Sequence, residues 1–97
     1  MRVRFTPQAK SDLDNIESYC GTLDPALFPR VLGDIVEALE VIMQFPGSGH
    51  IQLNAPVRKS VTLRYGYLIY YRHDPGADAI DVIKIAHGRQ QRPFEDR

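Results

Sequence analysis

At Thr6-Pro7 the hydrophobic pattern of this chain changes period, and near Pro56 it changes back; those two switches constrain the fold more than any other feature. Before the first, Arg2-Val3-Arg4-Phe5 alternates polar and apolar residues, the mark of a half-buried strand. After it, Ala9, Leu13, Ile16 and Cys20 recur at spacings that line one helical face. Thr6 is a helix cap by type, and Pro7 suits the first helical position because its missing donor would be unpaired there anyway. Gly21 is a stop signal, and Asp24-Pro25 opens a second helix whose stripe is Phe28, Val31, Leu32, Ile35, Leu39, Ile42 and Met43. Pro29 predicts a loosened first turn, and Phe45-Pro46-Gly47 ends the helix. Two helices joined by so short a loop pack as an antiparallel hairpin. Gly47 to Pro56 reads as a loop. Past it, Val57–Leu63, Tyr67–His73 and Ala79–His87 are rich in β-branched and aromatic residues, with turns at Arg64-Tyr65-Gly66 and Asp74–Asp78. The expected order is β-α-α-β-β-β, an α+β fold with a helix hairpin packed on an antiparallel sheet.

Ninety-seven residues fit a single domain spanning 1–97, with 88–97 as a mobile or partner-ordered tail. Hydrophobic residues at 43% and charged residues at 25% are a globular composition and exclude general disorder. Twelve basic residues match twelve acidic ones, so no global field draws the chain to nucleic acid. The balance conceals a split: residues 1–49 carry a net charge of −3 and residues 50–97 carry +3, with four cations and no anion between Val57 and His73. One cysteine, Cys20, allows no internal disulfide and suits a reducing cytoplasm. No apolar run reaches the ~20 residues of a membrane span, and Met1–Thr6 is too short for a signal peptide.

Alternation places Val57, Val61 and Leu63 on the helix-facing side of their strand and Arg58, Ser60, Thr62 and Arg64 on the opposite, bare face. The Tyr67 strand is apolar on both sides, as a central strand should be. On the last strand Ile83 and Ile85 are in phase with His87, and Arg89 lies two residues beyond. His50, His73 and His87 have no metal-ligand spacing, so no metal or other cofactor is expected. Tyr65, Tyr67, Tyr70 and Tyr71 suit packing or stacking on bases. Arg58, Arg64, Arg72, His87 and Arg89 are the constellation with chemical content. A ribonuclease working through the 2′-hydroxyl needs an acid–base pair and cations for the phosphate, which His and Arg supply. The same residues serve equally to hold the tail or to grip a protein partner.

In order and spacing, several segments resemble the RelE/ParE toxin superfamily of bacterial toxin–antitoxin systems. They are Thr6 to Ile16, Phe45-Pro46-Gly47, Val57-Arg58, Tyr67-Leu68-Ile69-Tyr70-Tyr71-Arg72 and Ile83 to Arg89. That resemblance implies the same helix hairpin over a sheet. Within the superfamily, RelE-like members are ribosome-dependent messenger-RNA endonucleases with an arginine where this chain has Tyr67, and some end the last strand in His-Tyr where it reads His87-Gly88. The similarity is therefore to the ParE-like branch, associated with poisoning DNA gyrase. It implies a toxin whose Arg58, Arg64, Tyr67, Arg72, His87 and Arg89 bind the target or a partner. Under the RelE-like alternative, His87, Arg58, Arg72 and Arg89 would be catalytic. A third reading is a non-toxic interaction domain acting only through its partner. The implied partner is a cognate antitoxin of the ribbon-helix-helix type with a disordered C-terminal segment, forming a hetero-oligomer with the toxin.

Overall fold

A computed structural model describes residues 1–52 and 56–87. Its elements are β1 (Arg2–Phe5), α1 (Pro7–Leu23), α2 (Leu27–Gln44), β2 (His50–Ile51), β3 (Arg58–Val61), β4 (Tyr67–Asp74) and β5 (Ala79–His87). The helix hairpin and the antiparallel succession β3-β4-β5 are as the sequence implies. Two features complete the sheet. The loop after α2 contributes the short strand β2, and β1 joins the far edge parallel to β5, giving a mixed sheet in the order β1-β5-β4-β3-β2.

Each junction has a local cause. Thr6 accepts the Ala9 N–H at 3.2 Å and caps α1, which continues past Gly21 to Leu23. Asp24 accepts the Ala26 N–H at 2.9 Å, and α2 begins at Leu27. Pro29 therefore falls within the first turn, where a missing N–H removes no helical bond, so the expected loosening does not arise. At the β3–β4 turn, Gly66 adopts φ 68°, a conformation open to glycine at little cost.

The core between the layers joins Ala9, Cys20, Val31, Ile35, Leu39 and Ile42 of the helices to Tyr67, Ile69, Tyr71, Ile80, Val82 and Ile85 of the sheet. Burying each large side chain contributes about 1.5–3 kcal/mol. A second cluster, Val57, Leu68, Tyr70 and Ala86 with Ile83 against it, lies on the opposite face. Tyr70 and Tyr71 thus point to opposite sides of the central strand β4, and both are fully buried.

Partners across β3 and β4 reverse the face expected for the β3 side chains. Arg58 lies opposite Tyr71 and Ser60 opposite Ile69, both helix-facing, whereas Val61 lies opposite Leu68 on the outer face. Val61 is 52% exposed and Leu63 92% exposed, so neither belongs to the helix-facing core. The alternation is as expected; the face is inverted because the polar residues find partners beneath the helices. Thr62 accepts the Tyr67 N–H at 2.9 Å, and Arg58 caps loop carbonyls. A register shift at Tyr70/Tyr71 also moves Ile83 out of phase with Ile85 and His87.

Candidate functional site

Three buried carboxylates fix the elements that shape the surface. β1 covers β5 only as far as Val82, and α1 supplies the rest of that edge: Thr6 donates from its amide to Val82 O at 3.1 Å and from its hydroxyl to Ile83 O at 2.9 Å. Asp12, nearly two turns on, accepts the Ile85 N–H at 3.0 Å and the Gln8 side-chain amide at 2.8 Å, and forms an ion pair with Lys84 Nζ at 3.6 Å. An otherwise open strand edge is closed by side chains of a helix. Asp34 of α2 accepts the N–H groups of Arg64 (3.1 Å) and Tyr65 (2.8 Å), which locks the β3–β4 turn against the helix. Burial alone would raise its pKa, but bonds from the Thr62 hydroxyl and those two amides outweigh burial and hold it below the usual carboxylate range.

Between α1, the start of α2 and the ends of β4 and β5 opens a groove of about 590 Å³. Its walls are Ile16, Leu27, Val31, Tyr65 and Ile85, and its polar groups are Asp12, Asn15, Cys20, Tyr67 and His87. Tyr19 and Leu23 stand on the rim, 61% and 62% exposed. The His87 ring meets Tyr67 edge-on, with centroids 5.3 Å apart and planes at 87°. Burial first, then the Cys20 thiol beside it, pushes the Tyr67 phenol up to about 12, so Tyr67 stays protonated at neutral pH and cannot act as a base there. An apolar trough with a polar rim is suited to receiving a side chain or a helix of another molecule.

Of the six residues expected to bind a target or partner, Tyr67 and His87 meet in this groove, and among the described residues Arg58, Arg64 and Arg72 do not line it. Arg58 is a clamp: its guanidinium donates to Gly49 O at 2.9 Å and Gly47 O at 3.2 Å. Tyr71 holds the same loop, donating to Pro46 O at 3.0 Å and accepting the Gly49 N–H at 2.9 Å. Arg72 is on the other side of the sheet, donating to Asp81 Oδ2 at 3.1 Å. Arg4 donates to both oxygens of Asp81, at 2.6 and 3.0 Å, and to Asp74 at 3.1 Å. The bonds from Arg4, ahead of those from Arg72, keep the Asp81 carboxyl below its ordinary value, and Asp81 in turn raises the Arg4 pKa. Arg64 is exposed in the β3–β4 turn, and Arg89 lies outside the described residues.

These positions do not assemble a phosphodiesterase centre. Arg58 pairs with Tyr71 and His87 with Tyr67, so they are four residues apart along the sheet and two strands apart across it. At about 3.4 Å per residue and 4.8 Å per strand their Cα atoms are roughly 16 Å apart, too far to share one scissile phosphate, and Arg72 faces away from both. The single cationic face expected from the sequence is therefore divided between two faces. Asp12, Asp34 and Asp81 were the functional positions that sequence reasoning passed over. Their signal was present, since each is an acid in phase with an apolar stripe or strand, where burial requires donors. Among the described residues no three His, Cys, Asp or Glu side chains gather to hold a metal ion, and no helix is long and apolar enough to cross a membrane.

This arrangement is the fold of toxin–antitoxin toxins. The chain superposes on a chain of the chromosomal ParDE toxin–antitoxin system from P. aeruginosa with TM-score 0.73 and 23% identity, over 90% of this chain and 95% of that one. It superposes on a chain of the RelBE2 complex from Mycobacterium tuberculosis with TM-score 0.62 and 26% identity, over 89% and 95%. A chain of the intact E. coli RelBE complex gives 0.56 and 14%, over 91% and 96%. In sequence, the chain is 29% identical over 92 residues to a Sinorhizobium fredii protein named "Putative toxin Y4kP", covering 95% of this chain and 93% of the relative. Residues 3–92 match the family described as the ParE toxin of the type II toxin–antitoxin system parDE, and the chain belongs to that family.

Proposed function

We propose that this toxin arrests growth by binding DNA gyrase and trapping its DNA-cleaved state, with no bond-making chemistry of its own. The observation that carries the reading is the family match over residues 3–92. Its physical support is the separation of Arg58, Arg72 and His87, which leaves the ribonuclease set unassembled. The purified protein is expected to inhibit gyrase supercoiling and to accumulate cleaved DNA. Unimpaired supercoiling together with ribosome-dependent cleavage of messenger RNA would reverse the assignment to a RelE-like nuclease. Unaffected growth on induced expression would favour the non-toxic interaction domain.

The same reading includes a cognate antitoxin that binds in the cytoplasm, with a ribbon-helix-helix dimer and a C-terminal segment that folds onto the toxin. The groove beside α1 is the matching surface, because Tyr19 and Leu23 expose apolar area at its rim. Leu23→Asp is expected to weaken antitoxin binding at least tenfold without lowering the melting temperature. Unchanged affinity would place the docking surface elsewhere.

A further inference from the structure

The turn between β3 and β4 is held more firmly than its place at the surface requires. Thr62 and Tyr67 close it in both directions: the Thr62 amide donates to Tyr67 O at 2.9 Å, and the Thr62 hydroxyl accepts the Tyr67 N–H at 2.9 Å. Asp34, only 3% exposed, takes the Arg64 and Tyr65 amides at 3.1 and 2.8 Å. Within this frame stands Leu63, 92% exposed and the most exposed large hydrophobic side chain among the described residues. A single exposed leucine is ordinary. One presented on a turn whose ordering cost is already met within the monomer is suited to enter a pocket.

We propose that Leu63 inserts into the groove beside α1 of a second copy of this chain, whose own Leu63 returns the contact. Turn and groove are neighbours. Tyr65, two residues beyond Leu63, lines the groove, as do Val31 and Leu27, one and two turns before Asp34 on α2. A patch that carries both a knob and its hole is self-complementary, so a two-fold axis near Tyr65 makes the contact twice and closes it, leaving no free end for further growth. The chemistry matches on both sides. The groove has about 590 Å³ and apolar walls to receive a leucine. Exposed Arg64 follows Leu63, and exposed Asp24 follows the rim residue Leu23, so the cation beside each knob meets an acid beside the opposing hole. The formal net charge is zero, so two copies do not repel one another. Tyr19 and Leu23, exposed at the rim, add apolar area around the inserted side chain. Because the groove is also the surface proposed for the antitoxin, this dimer and the antitoxin complex exclude each other; that consequence alone rests on the antitoxin reading.

The full-length chain, made without antitoxin by cell-free synthesis, provides the test independently of what the toxin poisons. Light scattering after gel filtration is expected to show a mass that rises with concentration from the 11.0 kDa of one chain toward twice that value. Leu63→Asp should raise the dimer dissociation constant at least about tenfold, while Leu63→Met, which conserves apolar volume, should dimerise nearly as well as wild type. Far-ultraviolet circular dichroism should be unchanged in both, since Leu63 packs on nothing within its own chain. In a mixture of isotope-labelled and unlabelled chains, intermolecular nuclear Overhauser contacts are expected from the Leu63 methyl groups to Ile16 and Leu27. A monomer at every concentration up to about 0.5 mM would overturn the proposal. So would a dimer that Leu63→Asp leaves intact, a dimer without the contacts to Ile16 and Leu27, or Leu63 contacts that arise only from added antitoxin.

Discussion

Replacing Arg58 separates the two roles that its charge allows. As a clamp it holds the loop that leaves α2 through two bonds from one charged donor, to Gly49 O at 2.9 Å and to Gly47 O at 3.2 Å. Both come from the one nitrogen, which puts each at about 0.5–1 kcal/mol net, the lower part of the usual range, so Arg58→Ala is expected to cost about 1–2 kcal/mol. For a chain of this length that lowers Tm by about 4–16 °C. Arg58→Lys keeps the charge without the fork and should fall between wild type and the alanine variant. Tyr71→Phe removes the other two bonds to the same loop and leaves the buried Gly49 N–H unmatched, at about 2–3 kcal/mol. Because both side chains restrain one loop, a double-mutant cycle by urea denaturation should return a coupling of at least about 0.5 kcal/mol. Gyrase inhibition, scored on the folded fraction, should be preserved in Arg58→Ala. An unchanged Tm with lost inhibition would refute the clamp and return Arg58 to target binding; additive substitutions would refute the shared loop.

Three further outcomes follow from the same geometry. In Gly49→Ala the new methyl would fall on the Tyr71 hydroxyl, whose ring is fully buried; a loss of about 1–3 kcal/mol is expected in thermal or urea unfolding. Asp34→Ala leaves the Arg64 and Tyr65 amides unmatched beside α2; about 2–3 kcal/mol should be lost, with faster hydrogen exchange confined first to the β3–β4 turn. The pH profile of stability should have two limbs. Asp34 and Asp81 titrate below their unfolded values near about 3.9, so their contribution is intact above that pH and is lost as pH falls through the folded values. Tyr67, at about 12 in the folded chain against about 10 unfolded, contributes stability below pH 10 that is lost as pH rises toward 12, and Tyr67→Phe should remove that alkaline limb.

What the sequence could reveal divides along a physical line. Element order and type followed from periodicity and from Thr6-Pro7, because a 3.6-residue stripe and a two-residue alternation depend on nothing beyond the segment itself. Which way a strand faces is another matter. Alternation states that Val57, Lys59 and Val61 share a side, but apolar character alone does not say that the side is the helical one. The decision lies with Arg58 and Thr62. Each finds acceptors or donors only under the helices, at Gly47, Gly49 and Tyr67, and those partners are distant or conformation-dependent. The pairing of β1 with β5 likewise joins residues nearly eighty positions apart and has no local signature.

The inversion of β3 changes what a cationic run implies about function. Four basic residues without an acid between Val57 and His73 look like one patch on paper. Folded, Arg58 is absorbed by loop carbonyls, Arg72 by Asp81, and Arg64 is left exposed in a turn. Acids from other segments neutralise the charge locally: Asp81 and Asp74 take Arg4 and Arg72, while Asp12 takes Lys84. Under the proposed function the recognition surface is the apolar groove rimmed by Tyr19 and Leu23, where desolvation of aromatic and aliphatic area would set affinity and the surrounding charges orientation. A toxin built this way should therefore bind its partners with weak dependence on salt. Raising ionic strength from about 0.05 to about 0.5 M, which shortens the screening length from roughly 14 to roughly 4 Å, is expected to change antitoxin affinity by less than tenfold. A loss of a hundredfold or more would mean that exposed arginines, and not the groove, carry the interaction.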